Sequence, residues 1–360
     1  MPPNDQYRMP RLRVLLNGQV LTGAQEAEIN SDNHYNADTF EVLATLGPDK
    51  WADADFWSSA INIEIEVQLS IDDGNSFVSI VRGLADTASL DAIDNEVHIL
   101  GRDFTAALIA AQTQETFANR TASEIATIFA ARHGLMPVVT PTTTLVGRFY
   151  QSDCESVMLN SLSGATTEWD LLVYLAQQEN FDVFVSGQSL CFQPIASPSA
   201  VTRVIEPTDV TELRLERALG LAAEVQMTVK SWNTQLQTGF IGQASGAITG
   251  TVANVSNGNP PILQYVKIRP NLTLDRAIAV AKQSLTEIVR HERTIEFAMP
   301  GDLVLAPGNV VLLNGTETDF DQVYYVDSIR RTFRIKTGFL QHIRASNSSP
   351  RTITTVGSAN

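Results

Sequence analysis

Few side chains in this sequence stand at spacings that support catalysis. The five histidines are His34, His98, His133, His291 and His342, and no two of them have the spacing of a zinc-hydrolase motif. The chain also lacks a phosphate-binding P-loop, a dinucleotide-binding fingerprint and the nucleophile elbow of serine hydrolases. We therefore expect no metal site, no cofactor and no nucleophile of these kinds.

Carboxylates are the remaining candidates for acid–base chemistry. Glu168 and Asp170 flank Trp169, and pairs of carboxylates perform glycoside hydrolysis. However, Thr167 opens a predicted helix at this point, and capping and the helix dipole favour acids there without any catalysis. The number of acids alone leaves a glycosidase pair open, but the structural interpretation is favoured. The sequence predicts a protein that binds or builds and is not an enzyme.

The two cysteines carry little chemical information. Cys154 and Cys191 cannot form a disulfide framework or a four-thiolate metal site within one chain, and neither belongs to a local redox or metal motif. Buried, inert thiols are the favoured interpretation.

Charge is distributed unevenly along the 360 residues. The formal net charge is −15, but residues 14–101 hold sixteen acids and two bases, whereas six bases and no acid follow Asp327. An acidic first region opposes stable binding of nucleic acid there, because like charges repel. Two interpretations stay open: a solvated surface that maintains solubility, or a surface that faces a passing polyanion without holding it. Glu64 and Glu66 are candidate members of that acidic surface.

The first hundred residues have the pattern of antiparallel strands. From Ile61 to Ile71, apolar and polar residues alternate strictly, with Glu64 and Glu66 opposite the isoleucines. Turn residues at Asn17-Gly18 and at 72–75 separate further strands. This pattern predicts a meander of strands that forms a small barrel or sandwich.

Helical patterns begin after residue 101. The segment 104–112 is apolar at helical spacing, Thr121 and Glu124 form a capping-box sequence, and a third helix is predicted to run from Thr167 to Glu179. A hairpin is predicted over 181–192. These elements predict a small α/β module.

Strands return after residue 200, notably at 212–215, 224–232 and 294–336. Residues 233–261 are polar and nearly uncharged, which indicates a long loop or a strand pair of weak register. Residues 273–290 form the best predicted helix, with Leu274, Ile278, Ala281, Leu285 and Ile288 on its apolar face. The chain contains no run of about 18 apolar residues and begins without an apolar signal core, so neither a membrane span nor Sec-type export is expected.

The order of these features resembles a known family. Turn and helix-start motifs in succession are similar to those of the baseplate hub proteins of phage tails and related contractile injection machines (the late control D family), and to the hub part of type VI secretion spike proteins. The resemblance covers roughly residues 10–345. The residues that carry it are Gly101, Arg102, Asp103, Glu168, Trp169, Pro300, Gly301, Asp302, Pro307, Gly308, Gly315 and Tyr325.

The resemblance implies an α+β fold, mainly β, with two antiparallel β-barrels similar to the tail-tube protein. A small α/β module and a helix-containing insertion complete the implied layout. The domains implied are residues 1–101 for the first, acidic barrel, 102–200 for the module, 201–236 with 294–345 for the second barrel, 237–293 for the insertion and 346–360 for a flexible tail.

The resemblance also implies a structural function. Hub proteins of this kind form homotrimers, so that three chains make a pseudo-hexameric ring around a DNA channel, joining a six-fold tail tube to a three-fold central spike. The implied partners are further copies of the chain, the tube or distal tail protein, the spike and the tape-measure protein, with DNA only in passage. The implied location is the virion tail, assembled in the bacterial host cytoplasm. Two alternatives stay open: a tail-associated peptidoglycan hydrolase, and a receptor- or glycan-binding tail-tip protein.

Overall fold

The computed structural model describes most of the chain. The residues described are 8–32, 35–47, 53–112, 115–146, 148–151, 154–158, 167–179, 181–194, 200–221, 224–233, 236–246, 262–347 and 354–355. The predicted flexible tail therefore lies largely outside the described residues, as does much of the polar stretch 233–261. None of the helices in the described ranges is long and apolar enough to cross a membrane.

The fold is mainly β with five helices in the described part, as the sequence predicts at this coarse level. The helices are α1 (Ala54–Ser59), α2 (Thr105–Ala110), α3 (Ala122–Arg132), α4 (Glu168–Glu179) and α5 (Leu274–Val289). The strands are β1 (Arg11–Leu16), β2 (Gln19–Val20), β3 (Ala24–Asp32), β4 (Thr39–Thr45), β5 (Glu64–Ser70), β6 (Val78–Asp91), β7 (Glu96–Asp103), β8 (Thr116–Ala118), β9 (Met136–Val139), β10 (Arg148–Gln151), β11 (Cys154–Met158), β12 (Phe181–Ser186), β13 (Ser189–Pro194), β14 (Arg203–Ile205), β15 (Glu212–Arg217), β16 (Val225–Asn233), β17 (Thr238–Gly246), β18 (Leu263–Ile268), β19 (Arg293–Pro300), β20 (Val310–Leu313), β21 (Val323–Arg334), β22 (Gly338–Ser346) and β23 (Thr354–Thr355).

One large sheet joins the first hundred residues to the last third of the chain. Its strands pair in the order β15-β19-β22-β21-β3-β4-β7-β6-β5-β1-β2, and β20 and β14 continue from β21 on a side branch. The junction is the antiparallel pair of β21 and β3, which runs from Ser328↔Asp32 to Arg334↔Glu26. Paired strands in the described residues do not close into a circle, so the two-barrel layout stays a prediction.

The alternation of residues explains which side of this sheet is buried. In β5, Ile65, Val67 and Leu69 are fully buried, and the polar residues between them are partly exposed. Period-2 alternation places every second side chain on the same face, so the predicted faces of this strand are confirmed. Ile61, at the start of the predicted pattern, precedes the strand and is 84% exposed.

Two apolar cores lie behind the large sheet. The first core holds the inward residues of β1 and β3 to β7, together with Phe333 and Phe339 from β21 and β22. The second core holds inward residues of β19 to β22, among them Tyr324 and Ile329. Because β21 contributes Phe333 to one core and Ile329 to the other, the same strand connects both.

Helix α1 lies within the region predicted to be strands and turns. It begins after Asp53, whose side chain accepts a hydrogen bond from the amide of Asp55 at 3.1 Å, and it places Trp57 against the first core. The helix has only six residues. A segment this short provides little periodicity for a sequence-based prediction.

Residues 104–194 form the predicted helices around a third core. Thr121 and Glu124 make the predicted capping box at the start of α3: the Thr121 hydroxyl accepts from the Glu124 amide at 3.3 Å, and the Glu124 carboxylate accepts from the Thr121 amide at 3.0 Å. Helices α2, α3 and α4 pack with the hairpin of β12 and β13 around residues such as Phe129 and Leu172.

Helix α5 covers a separate four-stranded sheet ordered β18-β16-β17-β23. The strand at 224–232, which the sequence analysis places in the second barrel, is β16; it pairs with β17 and β18 and not with the large sheet, and the domain layout stays a prediction. Gly242 of β17 lies so close to α5 that an added Cβ would meet the backbone carbonyl carbon of Ala277 at 2.3 Å. The polar stretch thus contains one well-registered strand.

The buried face of α5 differs from the prediction. Ala277, Val280, Ala281, Leu285 and Val289 are buried, whereas the predicted face residue Leu274 is 43% exposed. The helix lies rotated relative to the predicted stripe because small residues, and not the large aliphatic ones alone, allow close approach to the sheet.

Candidate assembly surface

The face of the large sheet that points away from both cores is polar. We call this surface the polar face; it consists of the alternate, unburied positions of β1, β3 to β7, β15, β19, β21 and β22. Its charged residues are Arg11, Arg13, Glu26, Glu28, Asp32, Glu41, Glu64, Glu66, Arg82, Asp86, Asp91, Glu96, His98 and Arg102 on the first-core side, and Glu212, Arg214, Glu216, Glu296, Arg330, Arg334, His342 and Arg344 on the second-core side.

Charge on the polar face divides at the junction of β3 and β21. With histidine neutral, the first-core side carries nine acids and four arginines, a formal charge of −5, and the second-core side carries three acids and four arginines, a formal charge of +1. Arg334 of β21 meets Glu26 of β3 across this junction, with Nε and Oε2 3.1 Å apart. Part of the acidity predicted for the first region therefore lies on one half of a continuous surface.

Glu64 and Glu66 lie on the polar face, as the alternation predicts. Arg82 of the neighbouring strand pairs with Glu64 at 2.6 Å, and the Gln68 side chain donates to Glu66 at 2.6 Å. Glu64 thus has an arginine partner, whereas Glu66 lies next to a neutral amide.

Gly101, Arg102 and Asp103 end β7, where the large sheet meets the helical module. A Cβ on Gly101 would lie 2.2 Å from the Phe40 ring and 2.4 Å from the carbonyl oxygen of Leu84, so only glycine fits there. Arg102 forms a two-point ion pair with Asp86 on the polar face, at 2.6 and 3.0 Å. The motif therefore packs β7 closely and presents its arginine on the opposite face.

Asp103 turns inward and starts the module. Its carboxylate accepts from the amide and the hydroxyl of Thr105 at 3.1 and 3.0 Å, and its own amide donates to the carbonyl oxygen of Asp38 at 2.9 Å. Burial raises the pKa of Asp103 to about 7, and the nearby Asp38 charge adds to that shift. Burial likewise raises the pKa of Asp38 to about 6.

Pro300, Gly301 and Asp302 form the corresponding end of β19. Gly301 packs against the ring of Phe339, which an added Cβ would approach to 2.0 Å. The buried carboxylate of Asp302 accepts from the Val304 amide at 2.6 Å and forms an ion pair with Arg203. The motif thus anchors the turn after β19 between the two cores.

Arg331 connects these two motifs. It is 5% exposed on β21, donates to the carbonyl oxygen of Leu305 and lies within electrostatic range of both Asp38 and Asp302. Burial lowers the pKa of its guanidinium. We call Asp38, Asp103, Arg203, Asp302 and Arg331 the polar seam; it separates the first core from the second.

Sequence reasoning missed Arg331 as a member of this site. The signal was present, since Ile329, Arg331 and Phe333 occupy alternate positions of one strand and therefore share its buried face. A charge among buried positions of a strand needs polar partners. The partners come from segments far away in the sequence, so the pattern alone does not identify them.

The remaining motif residues shape turns beside the second core. Gly308 adopts φ of +83° and donates its amide to the carbonyl oxygen of Val326 at 2.8 Å, directly after Pro307. Gly315 adopts φ of +91° after β20, and Tyr325 pairs with Val310 across β20 and β21. Left-handed backbone favours glycine at both turns.

Glu168 and Trp169 attach α4 to its surroundings. Glu168 is 1% exposed and pairs with Arg132 and with His133, the latter at 2.7 Å between Nε2 and Oε2. The indole of Trp169 donates to the carbonyl oxygen of Tyr35 at 2.6 Å, which ties the module to the segment before β4. This glutamate is thus held by an arginine and a histidine at the end of α3.

Other chemistry is weakly represented in the described residues. They contain no group of three or more histidine, cysteine, aspartate or glutamate side chains arranged to hold a metal ion. Cys191 is a buried free thiol, and burial raises its pKa. The side chain of Cys154 lies outside the described residues.

No protein-family model matches the sequence, and no curated protein matches it. Solved structures do match. A tail protein from Neisseria meningitidis is 14% identical with a TM-score of 0.68, over 94% of this chain and 96% of that one. A 43 kDa tail protein of prophage MuSo2 from Shewanella oneidensis is 15% identical with a TM-score of 0.63, over 96% and 99%.

A third similar structure comes from a secretion machine. It is a component of the type VI secretion system of Escherichia coli, described as structurally similar to tail proteins of bacteriophage T4, and it is 11% identical with a TM-score of 0.55, over 94% of this chain and 77% of that one. The resemblance read from the sequence is thus confirmed at the level of the fold. The chain has the fold that these phage tail proteins share with the type VI secretion component.

Proposed function

We propose that this protein is a structural hub of a phage tail or tail-like particle. Three copies form a pseudo-hexameric ring that joins a six-fold tail tube to a three-fold spike. The observation that carries the proposal is the large sheet, in which one run of paired strands has two apolar cores behind it and one polar face in front. Two such units per chain provide six units in a trimer. The likeness in fold to phage tail proteins supports this assignment.

In this proposal the two cores belong to two tube-like units, and the polar face lines the channel of the ring. Polar, charged residues suit a water-filled channel, whereas the apolar cores lie on the side of the sheet that faces away from it. The −5 charge of the first-core side repels a DNA backbone at short range, which favours passage over retention. The other partners are the tube or distal tail protein, the spike and the tape-measure protein, in a virion tail assembled in the host cytoplasm.

Nothing in the described residues specifically favours the peptidoglycan hydrolase or the receptor- or glycan-binding protein. The peptidoglycan-hydrolase alternative depends on Glu168 or Asp170 acting on substrate. Glu168 is buried in an ion pair with Arg132 and a hydrogen bond with His133, and Asp170 accepts from the Thr167 amide at 3.0 Å as a helix cap. Zymography with Glu168→Gln tests this directly, because clearing of cell walls that disappears in the variant would overturn the structural assignment.

The oligomeric state tests the proposed function. Light scattering of the purified protein, over a range of concentrations, is expected to give a mass of three chains of 39.3 kDa each, and class averages from electron microscopy are expected to show a ring. A species that is monomeric at every concentration, and that also lacks three-fold symmetry in particles, contradicts the proposal.

A further inference from the structure

A groove crosses the second-core side of the polar face. It has a volume of about 490 Å³ and is lined from β15, β19, β22, β21 and β3. A space of this size accommodates a small molecule. The polar side chains that line the groove are Asn30, Glu212, Arg214, Glu296, Ser328, Arg330, His342 and Arg344. The charges of these side chains determine which class of ligand fits.

The cationic side chains of the groove gather where β21 and β22 pair. Arg330 of β21 lies directly opposite His342 of β22, and Arg344 occupies the diagonal position two residues along. Diagonal neighbours on paired strands are about 7–8 Å apart, which is within reach of long side chains. Ser328 lies opposite Arg344 and adds a neutral hydroxyl donor. We call Ser328, Arg330, His342 and Arg344 the cationic corner; two adjacent strands supply its hydrogen-bond donors to the same end of the groove.

Arg330 differs from a second arginine of the same strand in having no anionic partner. Its guanidinium forms no ion pair within the described part of the chain, whereas Arg334, on the same face of β21, pairs with Glu26 at 3.1 Å. Like charges at opposite or diagonal positions of paired strands oppose folding. The cationic corner therefore carries an electrostatic cost, which an anion bound in the groove relieves.

Acids at the opposite end of the groove limit the charge of the ligand. Glu212 of β15 lies in the same row as Arg330, three strand spacings or about 14 Å away. Glu296 of β19 lies between these ends and pairs with Arg344 at 3.5 Å. A polyanion laid along the groove would bring negative charge against both glutamates. The charge pattern therefore fits a small ligand that carries its negative charge at one end only.

A phosphate group matches the donors of the cationic corner. Its tetrahedral oxygens can accept from side chains on two strands at once, and the planar fork of a guanidinium binds phosphate at two points. A β-bulge between Val326 and Ser328 lies directly beside the corner. Bulges re-aim side chains and are frequent next to functional sites. Both the donors and the local backbone therefore favour an anion site at this position.

We propose that this groove is a binding site for a small phosphate ester. The phosphate group lies at the cationic corner, where Arg330 and Arg344 bind its oxygens, and the uncharged part of the ligand extends toward β15. The site goes beyond the proposed hub function and does not depend on it. It is also distinct from the passage of DNA, because the glutamates toward β15 oppose a continuous phosphate backbone.

Isothermal titration calorimetry of the full chain with inorganic phosphate and with adenosine monophosphate tests the site. Both probes are expected to bind saturably, with one molecule per chain. Arg330→Ala is expected to weaken the binding of both probes at least tenfold, because a hydrogen bond between charged groups is lost. Arg330→Lys retains the charge but not the planar fork, so its loss is expected to be smaller.

Arg334→Ala is the matched control, because Arg334 is an exposed arginine of the same strand that is already paired with Glu26. It is expected to bind adenosine monophosphate like the wild type, and both alanine variants are expected to fold, as circular dichroism verifies. A DNA duplex without terminal phosphates, at equal phosphate concentration, is expected not to displace adenosine monophosphate. Absence of saturable binding, equal losses in the two alanine variants, or displacement by the duplex overturns the site. The mass of the assembly tests the hub function separately.

Discussion

The two cores behind the large sheet differ in how charge is buried beside them. At the margin of the first core, Asp38 and Asp103 lie without a salt bridge within 4 Å in the described residues, and burial raises the pKa of both carboxyls. Around the second core, Asp302, Asp327 and Glu292 each form an ion pair with an arginine. The comparison teaches that apolar packing dominates the first half, whereas specific ion pairs position the second.

The largest effect is expected from a substitution in the first core. Ile65 is fully buried in the first core, so Ile65→Arg places a charge where no partner can compensate it. We expect the cooperative unfolding transition to be lost and assembly to be abolished. Thermal unfolding followed by circular dichroism measures this. The control Glu66→Arg changes the adjacent position on the polar face and should melt near the wild type; an Ile65→Arg protein that does the same contradicts the role of this core.

The next prediction tests a buried ion pair beside the second core. Asp327 is 2% exposed and accepts from Arg290 at 2.5 Å and from the Ser346 hydroxyl at 2.9 Å. Asp327→Ala leaves the arginine without its partner and is expected to cost about 3 kcal/mol of unfolding free energy. Urea titration measures it. The exposed pair of Glu296 and Arg344, 3.5 Å apart, is the control, and Glu296→Ala is expected to cost less than about 1 kcal/mol. Equal losses would show that the buried ion pair stabilises the second half no more than an exposed one does.

The dependence of stability on pH tests Asp103, a carboxyl beside the first core that has no ion pair in the described residues. The pKa of Asp103 is about 7 in the folded protein, whereas the ordinary aspartate value is near 3.8. As the pH rises, Asp103 therefore loses its proton in the unfolded chain before it does so in the folded protein. The stability that Asp103 contributes is therefore full below pH 4 and declines as pH rises to about 7. Relative to Asp103→Asn, which has no proton to lose, the wild type should lose about 4 kcal/mol of unfolding free energy over this range. Urea titrations at pH 4 and pH 8 measure the difference, and a constant difference would show that the group ionises freely.

The smallest expected effect concerns the contact between the module and the first half. Trp169→Phe retains the ring in the third core but removes the hydrogen bond to the Tyr35 carbonyl oxygen. We expect a loss of about 1 kcal/mol in unfolding free energy. Chemical denaturation monitored by circular dichroism measures it. A loss of several kcal/mol would mean that the module supports the first core, and the comparison between the halves would need to include it.

Local sequence patterns predict strands and helix caps well, but they do not identify which strands pair or which charged residues meet. The alternation in β5 and the capping box of α3 involve residues that are neighbours in sequence, and both are present as predicted. The pairing of β16 with β17 and β18 was missed, because alternation specifies faces of a strand but not its neighbours. Ion pairs such as Arg290 with Asp327 depend on that tertiary arrangement and leave no local pattern.

In the candidate assembly surface, too, individual residues were identified from the sequence, whereas their tertiary partners were not. Gly101 and Gly301 were identified from the resemblance, and the structure supplies the physical reason, which is close contact with Phe40 and Phe339. The polar seam was not predicted as a unit. Its members are dispersed from Asp38 to Arg331 and meet only because β21 pairs with β3.

The unbroken run of strands from β15 to β2 also has a mechanical consequence. A force along the strands loads the hydrogen bonds of each ladder in shear, so many bonds resist together. A force across the strands opens one ladder at a time, as a zipper does. The junction of β21 and β3, with seven paired residues, is the ladder through which tension between the two halves must pass, and its length sets the load that the protein bears before the halves separate.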